Sequence, residues 1–321
     1  MNSGHEVQHT RLTEKLRREL GEKALEGLAD PSVTELIVND NGHLWFEAHG
    51  KGMWDTDFVM PTTQVESLIG TVAAMLNMVA NAQNPIVEGE LPLGRCRFEG
   101  LVPPIVARPC FVIRKPAQVL YTLEDYAKAD IISVRWADEF RDAIRKRRNI
   151  VIAGGTGSGK TTLTSALIGE MVRLGDPSER YVIIEDTLEL QCGARNAVQL
   201  HTSDAADLTR LVRATMRLRP DRIIIGEVRG AEALALLKAW NTGHPGGVTT
   251  VHANSAEAAL TRLSSLVQEA GVPPQPELIA ETINLLAFIT RVPKGRSVRE
   301  LVAVEGYSPR DGFRLAPMAA G

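Results

Sequence analysis

The sequence predicts an α/β second half, a mostly parallel sheet flanked by helices, preceded by a smaller α+β domain. Three observations carry that reading. NIVIAGG, RYVIIED and DRIIIGE are short apolar runs, each followed by a loop or helical text, as strands buried on both faces require. Earlier in the chain, ELIVND and HLWFEA are joined by Asn41-Gly42, a dipeptide that tolerates positive φ in a tight hairpin. Between the two textures, Thr122-Leu-Glu-Asp has the spacing of a capping box and marks a boundary.

From the N-terminus, Leu12, Leu16, Leu20 and Leu25 recur at helical spacing within 10–28, with Arg11, Lys15, Arg17 and Arg18 on other faces. Such an amphipathic helix packs on its own domain or rests its basic face on a membrane or partner. Val33 to Val59 is a small sheet, Thr62 to Gln83 a helix, and Ile86 to Lys115 β-type text broken by Pro92, Pro103, Pro104 and Pro109. The charged segment Ser133 to Arg148 reads as a solvated helix. The expected organisation is an N-terminal domain over 1–116, a linker over 117–135 and a second domain over 136–321. Its last dozen residues, with Pro309 and Pro317, are expected to be loosely ordered.

Composition narrows the function. At 321 residues the chain has room for two domains of about 150 each. With 36 basic and 39 acidic residues the net charge is -3, which gives no global reason to bind nucleic acid or an anionic membrane. Cys96, Cys110 and Cys192 form no CxxC pair, which excludes a disulfide framework and a four-cysteine zinc site and points to a reducing cytoplasm. No apolar window nears the ~18 residues of a membrane span, so a soluble or peripheral protein is expected.

Gly154-x-x-x-x-Gly159-Lys160-Thr161 matches the phosphate-loop pattern and follows the apolar strand Ile150 to Ala153. Gly154, Gly155, Gly157 and Gly159, with Thr156 and Ser158 between them, let successive amides turn onto phosphates, and the next helix adds the positive end of its dipole. Lys160 is expected on the β and γ oxygens, Thr161 on Mg2+, and Thr162 near the α-phosphate. Asp221-Arg-Ile-Ile-Ile-Gly-Glu227 is a strand ending in a carboxylate, the candidate base for attacking water. Glu185 and Asp186 end a third strand, where acids face the ligand crevice of such sheets and serve Mg2+ or its waters. His244 and His252 bracket a glycine-rich strand in GHPGGVTTVHANS, with no cysteine nearby for zinc, so a polar role at the γ-phosphate is the functional reading.

Taken together, GGTGSGKTT, IIEDTLEL, IIIGEVRGAEA and GHPGGVTTVHANS, in that order, resemble the hexameric secretion ATPases of type IV secretion, type II secretion and type IV pilus machines. The resemblance implies a RecA-like P-loop ATPase domain over 136–321. It assigns ATP and Mg2+ to Lys160, Thr161, Glu185 and Asp186, water activation to Glu227, and phosphate sensing to His244 and His252. LPLGRCRFEGLVPPIVARPCFVIRK is similar to the family stretch whose arginines approach nucleotide across a domain or subunit border, making Arg95, Arg108 and Arg114 finger candidates. The type II branch usually carries a four-cysteine zinc module, which this chain cannot build. The short chain and the HPGG insert are most similar to the conjugative-transfer and type IV secretion branch, with pilus assembly or retraction ATPases as the alternative. The implied protein is a homohexameric motor, peripheral at the cytoplasmic face of the bacterial inner membrane. Its partners are inner-membrane channel proteins, and no specific nucleic-acid contact is expected. A nucleotide-gated assembly platform is the alternative of another class; a DNA-translocating ATPase is disfavoured by aromatics at 5% of residues.

Overall fold

The structure, a computed structural model, describes residues 3–48, 51–116, 120–203, 205–293 and 295–320. The chain divides into two compact units, Met1–Gln118 and Val119–Gly321.

In the first unit, α1 (Ser3–Ala29) buries Leu16 and Leu20 completely, so its apolar stripe packs on its own unit. Gly21, at φ 72, breaks the helix that the leucine spacing predicts as continuous. The predicted hairpin joins β1 (Val33–Val38) to β2 (His43–Ala48). Gly42 sits at φ 85, and a Cβ there would lie 2.6 Å from the carbonyl oxygen of Met60. Next come β3 (Gly52–Val59), α2 (Thr62–Met75), β4 (Ile86–Leu91), β5 (Cys96–Leu101) and β6 (Cys110–Arg114). Helix α2 stops short of the predicted Gln83, because Asn77 turns left-handed at φ 57 and the Asn81 side chain caps a turn on the amides of Gln83 and Asn84. The described strands form one antiparallel sheet in the order β3-β2-β1-β6-β5-β4, with α1 and α2 packed on it over Leu36, Phe98, Phe111 and Ile113.

The second unit begins earlier than expected. Residues 117–119 of the predicted linker lie outside the described residues, but from Thr122 onward that stretch is built into the unit. The capping box forms, with the Thr122 hydroxyl accepting from the Asp125 amide, and opens α3 (Leu123–Lys128). Leu123, Tyr126 and Ile132 are buried in the core, burial worth roughly 1.5–3 kcal/mol per large apolar side chain. Then follow α4 (Val134–Arg145), β7 (Ile150–Ala153), α5 (Lys160–Leu174), β8 (Tyr181–Glu185), β9 (Ala197–His201), α6 (Leu208–Thr215), β10 (Arg222–Ile225), α7 (Glu232–Asn241), β11 (Val248–Val251), α8 (Ala256–Gln268), α9 (Pro276–Thr282), β12 (Leu285–Val292), β13 (Gly295–Ser308) and β14 (Gly312–Pro317).

Their sheet runs β14-β13-β12-β7-β11-β10-β8-β9, parallel from β12 to β9, with β13 and β14 added antiparallel. The strand residues alternate between two cores. Ile150, Ile152, Ile183 and Ile224 face Phe140, Leu163 and Leu167, while Val151, Val182, Ile223 and Ile225 face Val212, Trp240 and Leu263. Both faces are therefore covered, which is why these strands are continuously apolar. The C-terminal residues are better held than expected. β14 completes the sheet, Phe313 packs on Tyr307 at 5.2 Å, and the Trp136 indole donates to the Met318 carbonyl at 3.1 Å. Among the described residues no helix is long and apolar enough to cross a membrane, and Cys96, Cys110 and Cys192 are all free.

Candidate active site

Parallel register brings the sequence motifs together at one edge of the second sheet. Ala153 on β7 lies opposite Val251 on β11, so Gly154 leaves the sheet beside His252. Ile225 on β10 lies opposite Thr249 on β11 and Ile184 on β8, so Glu227 emerges near Val251 on one side and Asp186 on the other. Four consecutive strands thus deliver a loop, a histidine and three acids to their C-terminal ends, where ligands bind in open α/β sheets.

The loop itself is tightly built. Gly157 and Gly159 hold positive φ values of 65 and 100, and Gly159 caps α5. A side chain at Gly154 would strike the Ile289 carbonyl and the Ser158 hydroxyl. The buried Ser158 Oγ has no hydrogen-bond partner among the described residues. Lys160 is buried and turned into the loop, its Nζ donating to the carbonyls of Gly154 and Gly155, both at 3.0 Å. Thr161 and Thr162 follow half-buried in the first turn of α5, while Gly155 and Thr156 are exposed.

His252 Nε2 stands 3.5 Å from the Lys160 ammonium and 2.9 Å from Glu227 Oε1. Burial is the main influence on the ring and pushes its pKa below the usual value; Glu227 opposes, while Lys160, Arg229 and Arg262 act with burial. Arg229 extends the chain of charge, donating to Glu227 Oε2 at 2.9 Å and to Asp186 Oδ2 at 3.3 Å. Glu185 is buried, with Oε1 accepting from the amides of Glu189 and Leu190 at 3.0 and 2.9 Å, and so ties down the turn after β8. Asp186 is the more exposed acid of the pair. The described residues hold no cluster of three or more His, Cys, Asp or Glu side chains able to hold a metal by themselves. Of the expected metal residues, Thr161 stands in the first turn of α5, and Glu185 and Asp186 stand at the end of β8.

His244 is not brought to the loop. It precedes β11 where His252 follows it, and a four-residue strand at about 3.3 Å per residue sets the two at opposite edges of the sheet. Its Nδ1 donates to the Pro220 carbonyl at 2.8 Å. In the first unit, Arg95 pairs with Glu90 at 3.1 Å, Arg114 with Glu35 at 3.5 Å, and Arg108 is exposed on the loop between β5 and β6.

Three residues beside the site went unread in the sequence. Arg229 lies two positions past Glu227, and a cation that close to the expected base is a signal. Arg291 and Arg296, whose Nε atoms donate to the Gly157 carbonyl at 2.9 and 3.4 Å, come from the β12–β13 hairpin more than 130 residues away, and no motif announces them.

A glycine loop closing on a buried lysine, with a carboxylate and histidine at neighbouring strand ends, defines an ATPase built on an α/β sheet. The chain belongs to the Type II/IV secretion system protein family, whose sequence profile matches residues 18–301. It is 50% identical to the conjugal transfer protein TrbB of Rhizobium radiobacter over 93% of this chain and 92% of that one. It is also 31% identical to the type IV secretion system protein VirB11 of Bartonella quintana, over 75% of this chain and 78% of the relative. The solved structure of the Legionella pneumophila ATPase DotB covers 87% of this chain and is itself covered over 79%, at a TM-score of 0.64 and 21% identity, a likeness of fold.

Proposed function

We propose that the chain hydrolyses ATP with Mg2+ to power a conjugative or type IV secretion channel, as a homohexameric ring peripheral to the cytoplasmic face of the bacterial inner membrane. The observation that carries the chemistry is the contact series Lys160, His252, Glu227 across the ends of β7, β11 and β10. The parallel sheet with its loop after a central strand supports a RecA-like reading of the second unit. The conjugative role rests on family membership and on half of the aligned residues matching TrbB.

The loop fits a polyphosphate. Its glycines keep side chains out, α5 points its N-terminus at it, and Lys160, whose ammonium donates to the Gly154 and Gly155 carbonyls, stands where phosphate oxygens would replace them. Glu227 takes a proton from water, the water oxygen bonds to the γ-phosphorus, and the bond to the bridging oxygen breaks with its electrons left on ADP. His252, whose burial favours the neutral ring, lies between Lys160 and Glu227 and is the sensor of the γ-phosphate. Thr161 and Asp186, with Glu185 behind, would hold Mg2+, whose charge would offset that developing on the phosphates. Arg95, Arg108 and Arg114 remain the finger candidates; changing each to Ala lowers turnover while nucleotide binding is kept.

Replacing Glu227 by Gln tests the reading. The expected protein binds ATP normally and turns it over about a hundredfold more slowly. Full turnover would remove Glu227 from the mechanism. Continued DNA transfer in cells carrying a hydrolysis-dead E227Q protein would replace the motor with a nucleotide-gated platform.

A further inference from the structure

We propose that Arg291 and Arg296 are positioning residues of the nucleotide site, fixing the direction in which the peptide between Gly157 and Ser158 points. The inference rests on the nucleotide reading above. It starts from register. β12 runs parallel to β7 with Phe288 opposite Ala153, so the residues beyond Phe288 travel alongside the phosphate loop. The chain then reverses and β13 returns with Arg296 directly opposite Arg291. Residues opposite each other on antiparallel strands project to the same face, where two like charges repel. Here both guanidinium groups turn onto a single acceptor, the Gly157 carbonyl, at 2.9 and 3.4 Å.

The two side chains also lie flat against the loop backbone. A Cβ on Gly157 would run into the Arg291 guanidinium, and one on Gly159 would come within 2.7 Å of Arg296 Cδ. At both glycines the positive φ is the firm requirement, and a side chain at either would also push an arginine off the loop.

The consequence follows from the peptide group itself. In a planar trans peptide the C=O and N–H point to opposite sides. Holding the Gly157 oxygen on the hairpin side turns the Ser158 N–H away from the hairpin, where it now meets the Gly155 carbonyl at 3.3 Å. Inward amides are what a phosphate loop offers its ligand, and a carbonyl fixed by two cationic donors is held by hydrogen bonds roughly twice as strong as neutral ones. The arginines thereby preorganise an amide without touching nucleotide. Through them the β12–β13 hairpin is mechanically tied to the phosphate loop.

The test measures ADP binding and ATP turnover on the full chain carrying Arg291→Ala with Arg296→Ala, beside Lys160→Ala. The expected double-alanine protein has a Kd for ADP and a KM for ATP raised about tenfold, with kcat within about threefold of the starting protein. The paired Arg→Lys protein, which keeps a charged donor at each position, recovers most of the affinity. If the alanine pair does not fold, the Arg→Lys pair is compared with an Arg→Gln pair, and a lower affinity for the glutamine protein supports the proposal. Unchanged affinity in folded protein lacking both arginines, with binding lost in Lys160→Ala, overturns the arginine role and leaves the nucleotide site intact. A fall in kcat at unchanged KM also overturns it, since positioning of a binding amide acts on affinity. ADP binding that survives Lys160→Ala removes the nucleotide reading itself.

Discussion

The two ends of the second unit's central strands hold charge on different terms. At the N-terminal ends Arg222, Glu179, Asn149 and His244 are each held by fixed partners. Arg222, 2% exposed, donates to Glu179 at 2.9 Å and to the Gly246 carbonyl at 2.9 Å. Glu179 also takes Arg147 and the Tyr181 hydroxyl. Asn149 accepts from the Gly246 amide and donates to the Thr282 carbonyl. His244 belongs to this edge, on the carbonyl of Pro220. At the C-terminal ends the partners are exchangeable. Lys160 rests on loop carbonyls, His252 is half exposed between a cation and an acid, and Arg229 bridges two acids from the surface. Buried charge that is fully paired is architecture; charge with replaceable partners, beside an open loop, is where a ligand acts.

The largest effect expected from this contrast is on stability. Arg222→Ala leaves Glu179 short of its buried partner and strips donors from two carbonyls, a loss of about 3–5 kcal/mol in urea unfolding. The nucleotide affinity of the molecules that remain folded should not change. A loss below about 1 kcal/mol would place Arg222 with ordinary surface ion pairs and dissolve the distinction between the edges.

The histidines sharpen the comparison next. His252→Ala is expected to lower ATP turnover by about tenfold to a hundredfold, because it removes the group between Lys160 and Glu227. His244→Ala should leave turnover within about twofold, since its ring meets only the closed edge. Equal losses in steady-state assays would mean that the histidines act together, against their placement at opposite ends of β11.

That pair also shows where the sequence was readable and where it was not. The loop, its strand and Glu227 were legible because each is local: an apolar run, then the functional residue, with parallel pairing to align them. The same logic, applied strictly, separates the histidines, since a strand lying between two residues puts them on opposite edges. The motif resemblance grouped them nonetheless. The expected linker failed for a different reason: its short polar text hides Leu123, Tyr126 and Ile132, which α3 and the turn after it carry into the core. The Arg291 and Arg296 contacts lay beyond local reading altogether. They depend on β12 pairing with β7, a neighbour distant in sequence, and on a hairpin register that no motif encodes.

The smallest effect concerns acid. Burial, aided by Lys160, Arg229 and Arg262 against the pull of Glu227, lowers the pKa of His252 from its ordinary 6.5. The folded chain therefore favours the neutral ring more than the unfolded chain does. The stability this contributes is present above about pH 6.5 and is lost as the pH falls through the lowered folded value. Acidifying from pH 7.5 to 5.5 should then lower the melting temperature of the unchanged protein by about 2 °C more than that of a His252→Asn variant. The half-exposed ring and its solvent screening keep the difference small. Identical acid sensitivity in the two proteins would mean that the imidazole charges freely in place, and that the open edge tolerates a third cation beside Lys160 and Arg229 before any phosphate arrives.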